Sequence, residues 1–249
     1  MQLLAVDYLA PDADKQFVES LRQTGFGVLK NHPIEQSSVT SIYQNWQAFF
    51  KKKDIKEYFD YYPWGKCPPN LKQELQDYYQ AANDLASELL GWVEKYSPAD
   101  VAAHYSEPLS GMATNSDQTL LRVLHYPPIT GNEEPDAIRA AAHEDINLLT
   151  ILPSANEPGL QVKGTGDEWI DVPCDFGNLI VNIGDMLQEA SGGYFPSTSH
   201  RVINPKGADQ SKSRISLPLF LHPRPEVVLS KRHTAKTYLA ERLRELGVA

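Results

Sequence analysis

The chain has 249 residues, 41% of them hydrophobic and 22% charged, and a formal charge of −9 at pH 7. That length suits one domain with a sizeable core, and the composition is that of an ordinary globular protein. The acidic balance argues against a broad nucleic-acid surface, which needs clustered Lys and Arg, and no apolar run reaches the roughly 18 residues of a membrane-spanning helix.

The opening residues lack the basic segment of a signal peptide. Cys67 and Cys174 lie outside any Cys-x-x-Cys pair, so neither a disulfide framework nor a thiolate metal site is expected. Both are read as small buried hydrophobes in a chain suited to a reducing cytoplasm.

Residues 14–32 predict a helix and then a strand. Phe17 and Leu21 lie one turn apart, Gly25 is a natural helix stop, and Phe26-Gly27-Val28-Leu29 is extended in character. Val39, Ile42, Tyr43, Trp46, Phe49 and Phe50 form the apolar stripe of a second helix, from about Ser38 to Lys51. Leu71, Leu75, Tyr78, Ala82, Leu85, Leu89 and Trp92 predict one long helix packed on a sheet, with a coiled coil as the alternative. Ser97-Pro98 reads as an N-cap followed by proline at the first helical position.

From about residue 118 the pattern changes to short β-like runs separated by Gly, Pro, Asn and Asp. The runs are Leu120–Tyr126, Leu148–Leu152, Leu160–Lys163, Trp169–Val172, Asn178–Ile183, His200–Ile203 and Arg214–Leu221. Many short strands with turn signals imply a sandwich or barrel. A last helix, about Thr234–Leu246, carries Leu239, Leu243 and Leu246. The expectation is one domain over 1–249, with a mainly helical region at 1–117, a catalytic core at 118–222 and a C-terminal helical extension at 223–249.

The sharpest local feature is Ala142-His143-Glu144-Asp145. On a strand, residues two apart share a face, so His143 and Asp145 could reach one metal while Glu144 points away. His200, entering a later strand, would complete a set of two histidines and one carboxylate. That set is the facial triad of non-haem iron(II) oxygenases. It leaves three octahedral positions open and a net single positive charge, which favours an anionic chelator. Further on, Arg214 and Ser216 share a strand face and suit a terminal carboxylate, the arginine binding it through two parallel hydrogen bonds. His32 is read as a turn residue and His125 as facing away from Tyr126. His104, His222 and His233 have no partner at ligand spacing.

These segments resemble the isopenicillin N synthase-like branch of the iron(II)/2-oxoglutarate oxygenases. The resemblance is carried by Leu121-Arg122-Val123-Leu124-His125-Tyr126-Pro127-Pro128, by Ala142-His143-Glu144-Asp145-Ile146-Asn147-Leu148-Leu149-Thr150 and by Pro158-Gly159-Leu160-Gln161-Val162. Asn182-Ile183-Gly184-Asp185, Ser199-His200-Arg201-Val202 and Arg214-Ile215-Ser216-Leu217-Pro218-Leu219-Phe220 extend it. It is strong over about 118–222, and Thr24 to Ile34 resembles the family's opening strand.

The resemblance implies an α+β fold. Its double-stranded β-helix (jelly-roll) core would carry N-terminal helices, one long packed helix and a C-terminal helix. It also implies Fe(2+) on His143, Asp145 and His200, and 2-oxoglutarate with its distal carboxylate on Arg214 and Ser216. O2 would be the oxidant and a small organic molecule the substrate, with succinate and CO2 released. Tyr126 matches a family tyrosine that holds co-substrate or substrate; otherwise it is a core aromatic. Arg122, on the same strand face, would look into the pocket. Between Phe50 and Asp54 the family has a longer loop, where this chain has only Lys51-Lys52-Lys53. Either the loop is deleted or a lid segment is omitted; the expectation is omission, to be tested by intact mass. The alternatives are an iron oxidase of the isopenicillin N synthase type that uses no 2-oxoglutarate, a zinc hydrolase and a non-catalytic jelly roll.

Overall fold

A computed structural model describes residues 3–50, 58–130, 138–204 and 210–247, so the Lys51–Lys53 link lies outside the described residues. The first part of the chain forms β1 (Ala5–Asp7), α1 (Ala13–Thr24), β2 (Phe26–Lys30), α2 (Gln36–Phe50), β3 (Tyr58–Tyr61) and α3 (Pro69–Lys95). Two short helices follow, α4 (Ala99–Ala102) and α5 (Leu109–Ala113), then β4 (Leu120–Tyr126) and β5 (Ala140–His143). The remainder is β6 (Leu149–Pro153), β7 (Leu160–Lys163), β8 (Trp169–Asp171), β9 (Leu179–Ile183), α6 (Asp185–Ala190), β10 (His200–Val202), β11 (Arg214–Ser216), β12 (Leu219–Leu221) and α7 (Ala235–Glu245).

The strands make two sheets. The larger runs β1-β2-β9-β6-β12-β4-β11 with β3 on β4, and the smaller runs β5-β10-β7-β8. Period-two alternation assigns the two faces of the larger sheet. Leu149, Ile151, Leu179, Val181, Ile183, Ile215, Leu219 and Leu221 belong to the core shared with the helices. Phe26, Val28, Leu152 and Ile180 join Leu160, Val162 and Val202 of the smaller sheet in a second core. This is the double-stranded β-helix arrangement, and the site lies between its sheets.

The helices cover the outer face of the larger sheet. α1 stops where expected: Gly25 is left-handed (φ 72°), and its N–H returns to Leu21 O at 2.8 Å. α3 is a single long helix across β6 and β12, not part of a coiled coil. Its stripe is buried except at Trp92, which stacks on Tyr8 at 5.4 Å and meets the Phe17 ring edge-on. Phe17, Trp46, Leu75 and Leu89 are fully buried, and each contributes about 1.5–3 kcal/mol of hydrophobic stabilisation.

Several expectations are corrected. Ser97 is not an N-cap: Pro98 holds that position, while the Ser97 hydroxyl donates to Val93 O at 2.8 Å. The strand expected over 214–221 is interrupted at Leu217-Pro218, because proline has no N–H for the ladder. One register survives the break, since Arg122 N–H donates to Pro218 O at 2.9 Å. β1 and β3 were not expected, nor were α5 and α6. Leu246 is exposed, whereas Leu239 and Leu243 are half-buried. Cys67 is half-buried and Cys174 exposed, so neither is a fully buried hydrophobe. Among the described residues no helix is long and apolar enough to cross a membrane.

Candidate metal centre and carboxylate pocket

His143 and His200 become neighbours through pairing of the smaller sheet: they stand opposite each other in the β5–β10 ladder, with ring centroids 4.4 Å apart. Asp145 arrives differently from the strand argument. β5 ends at His143, so alternation does not place the carboxylate. A bend does, and the start of α6 pins it. Asp185 N–H donates to Asp145 O at 2.7 Å, Met186 N–H to Asn147 O at 3.1 Å and Gly184 N–H to Leu148 O at 3.0 Å.

The result is convergent. Asp145 Oδ1 lies 3.8 Å from Nε2 of both His143 and His200, and the three ligand atoms fall within 4.8 Å of one another. Each ring is oriented from behind. His143 Nδ1 donates to Ala141 O at 2.8 Å and His200 Nδ1 to Thr198 O at 3.2 Å, which leaves each Nε2 lone pair facing the centre. The Phe26 ring packs edge-on against His200 at 5.6 Å.

The carboxylate is oriented too. Its Oδ2 accepts from Thr150 Oγ1 at 2.5 Å and from Asn182 Nδ2 at 2.8 Å, so Oδ1 remains for a cation. Thr150 and Asn182 are cross-strand partners on β6 and β9, and Asn147 supports Thr150 at 2.9 Å. Burial pushes the Asp145 carboxyl up. His200, the two hydrogen bonds and His143 outweigh that effect and hold it below its ordinary value. Burial lowers His200, against the pull of Asp145, and so favours the neutral imidazole that a metal needs. The orienting roles of Thr150 and Asn182 were missed from the sequence, although both residues lie in the motifs quoted.

The same cavity continues to Arg214 and Ser216, which line it with Tyr126, Leu124, Pro218 and Phe220. Arg214 and Tyr126 are a cross-strand pair, and the guanidinium lies 5.6 Å from the ring centre. Arg214 Nε donates to Glu157 O at 3.1 Å. Its Nη1 is buried and has no acceptor among the described residues. Burial lowers the Arg214 pKa, against the pull of Tyr126 and Tyr43. A fully buried guanidinium with an idle donor calls for an anion. The donor set at one end and this orphan at the other therefore fit a metal ion and a carboxylate-bearing chelator.

Arg122 is a correction. β3 places Asp60 opposite it, and the two form a bidentate pair at 2.6 and 2.8 Å. The guanidinium lies over Tyr58 at 4.8 Å, outside the set of residues that line the cavity. Among the described residues no other histidine joins the ligand cluster, although His222 is near enough to feel the Asp145 charge. His32 Nε2 meets Gly177 O at 2.9 Å, and His125 stacks on Phe50 at 5.5 Å. His233 Nε2 lies 4.0 Å from Glu241, a carboxylate neighbour that its sequence spacing did not suggest.

A double-stranded β-helix with two histidines and one carboxylate at its centre defines the class of mononuclear non-haem metal oxygenases. Residues 115–223 match the 2OG-Fe(II) oxygenase superfamily. A crystal structure of a Shewanella oneidensis chain, provisionally named an oxygenase, is 61% identical, with TM-score 0.94 and full coverage of both chains. The chain belongs to the 2OG-Fe(II) oxygenase superfamily, whose cofactors are iron(II) and 2-oxoglutarate. Homoarginine-6-hydroxylase of Glycine max is 30% identical over 179 residues, 70% of this chain and 51% of that protein. The chain thus spans about half the length of that curated relative. A full-length Neurospora crassa protein, solved in complex with alpha-KG, shares the fold at 20% identity and TM-score 0.79, over 98% of this chain and 96% of that one.

Proposed function

We propose that this protein is an iron(II)- and 2-oxoglutarate-dependent oxygenase that hydroxylates, or otherwise oxidises, a small organic molecule. The carrying observation is the pairing, in one cavity, of a convergent His143–Asp145–His200 centre with the unpartnered Arg214 Nη1. Iron(II) and 2-oxoglutarate together supply an oxidation that consumes O2 and releases succinate and CO2. His143, Asp145 and His200 would hold the metal on one face and leave the opposite face open. Arg214 and Ser216 would hold the distal carboxylate, with Tyr126 as a wall beside it. Apolar Leu152, Leu160 and Val202 would keep water from the co-substrate's carbon chain.

A second cleft lies past the end of β12. Arg214, Ser216, Pro218 and Phe220 line the cavity, and the next residue of the same alternation, His222, lines the cleft. Gln118, Met186 and, from α7, Lys236, Leu239 and Leu243 line it as well. The chain's two cysteines, neither in a disulfide, fit a cytoplasmic location.

The test is oxygen uptake and succinate release with iron(II), with and without 2-oxoglutarate, across a set of small organic substrates. Turnover should need both additions and disappear in Asp145→Ala. Oxygen consumption that ignores 2-oxoglutarate would instead favour an oxidase, and metal-dependent hydrolysis without oxygen would favour a hydrolase.

A further inference from the structure

Two of the three proposed metal ligands lean on α6, by different routes. The first backbone N–H groups of α6 hold the bend that carries Asp145. On the other side Ser197 N–H donates to Gln188 Oε1 at 2.7 Å. Ser197 opens the short approach to His200, whose Nδ1 donates to Thr198 O at 3.2 Å. The far end of that approach is fixed by β7, where Lys163 N–H donates to Ser199 O at 2.9 Å. Gln188 also anchors the loop leading there, since Gly193 N–H donates to its backbone carbonyl at 2.8 Å. Ser191 Oγ donates to the same carbonyl at 3.1 Å and accepts from Phe195 N–H at 3.2 Å.

Gly25 closes the opposite side of this segment. A Cβ there would fall 2.6 Å from Pro196 O and collide with Thr198 Oγ1 as well. The next residue, Phe26, packs on the His200 ring. Pro196 to Thr198 is therefore wedged between a glycine that admits no side chain and the Gln188 amide. The Thr198 carbonyl keeps the proton on His200 Nδ1 and aims Nε2, so whatever fixes its direction fixes the ligand. His143 is supported differently: its acceptor, Ala141 O, lies in β5 itself.

We propose that Gln188 is a positioning residue for the metal centre. Its amide oxygen, acting through Ser197 and Thr198, sets the aim of His200. α6 is then one bracket that fixes the 3.8 Å spacing between Asp145 Oδ1 and His200 Nε2. This role rests on reading His143, Asp145 and His200 as the metal centre.

The test compares wild type, Q188M and Q188E as Co(II)-loaded proteins. Methionine keeps the length and loses the acceptor; glutamate keeps an acceptor oxygen. Anaerobic Co(II) titration against a competing chelator gives affinity. Proton NMR of the Co(II) protein resolves the Nδ1–H of each ligating imidazole, and closeness to the Phe26 ring identifies that of His200. Q188M should bind Co(II) roughly threefold to tenfold more weakly, at or below the lower end of the range for a direct partner of a ligand. Its His200 N–H signal should broaden through faster exchange with solvent, and its His143 signal should not change. Q188E should restore both affinity and signal. Wild-type affinity and spectrum in Q188M, even with a lowered unfolding temperature, would make Gln188 merely structural and overturn the proposal. Equal impairment in Q188E, or equal broadening of both histidines, would overturn it too. A wild type that binds no Co(II), or binds it without imidazole signals, would instead overturn the metal-centre reading beneath it.

Discussion

Replacing Asn182 with Leu tests whether the metal centre is built from its supporting residues. Leucine keeps the branch at Cγ and is the larger side chain, so the buried position on β9 stays filled. What disappears is the donor to Asp145 Oδ2 at 2.8 Å, leaving Thr150 as the remaining side-chain donor to that oxygen. A hydrogen bond to a buried charged group contributes about 1.5–3 kcal/mol. Loss of such a supporting contact typically lowers metal affinity about 10–100-fold, or roughly 1.4–2.8 kcal/mol, so the two scales agree. Thr150→Val should have a similar effect. The double variant should lose more than the sum, because each single variant leaves Oδ2 one donor and the double leaves none. Anaerobic Mn(II) titration against a competing chelator measures this directly. An Asn182→Leu protein with wild-type affinity and unfolding temperature would refute the view that Thr150 and Asn182 aim the carboxylate.

Other perturbations probe different parts of the account. Gly184→Ala would put a Cβ onto the Asn147 carbonyl in the bend that presents Asp145; a lower unfolding temperature with weaker metal binding is expected. Arg242→Gln removes the 3.2 Å pair with buried Asp185 and loosens α7 from the start of α6. A loss of roughly 1 kcal/mol or more in denaturant unfolding is expected, since the surviving partner stays buried. Arg214→Lys keeps the charge but not the fork, and should raise the KM for 2-oxoglutarate at least about tenfold with metal affinity unchanged. Mn(II) at about a hundredfold over its Kd should stabilise wild type by about 2.7 kcal/mol in thermal unfolding, and Asp145→Ala hardly at all.

Much of this was legible in the sequence because period and spacing carry it. The stripe from Leu71 to Leu89 follows helical steps and is buried on one long helix. Arg214 and Ser216 share a face because a strand alternates, and both line the cavity. Gly25 ends α1 in the left-handed conformation that glycine tolerates. Other features depend on tertiary partners. Asp145 was placed correctly for an incomplete reason: strand alternation stops at His143, and Gly184-Asp185, distant in sequence, holds the bend. Arg122 shares a face with Tyr126, yet an unexpected edge strand supplied Asp60 and drew it away. Thr150 and Asn182 were visible as motif letters, but their role appears only when β6 and β9 pair in register.

The central claim is that one cavity holds iron(II) at His143, Asp145 and His200, and a 2-oxo dicarboxylate between that ion and Arg214. The most direct measurement is anaerobic visible absorption of the protein titrated with iron(II) and then with 2-oxoglutarate. A metal-to-ligand charge-transfer band forms when the oxo acid chelates the metal. Wild type should develop the band only when both are present. Asp145→Ala should develop none, and Arg214→Gln should need far more 2-oxoglutarate to reach it. No band in the wild type, or the same band in Asp145→Ala, would contradict the account.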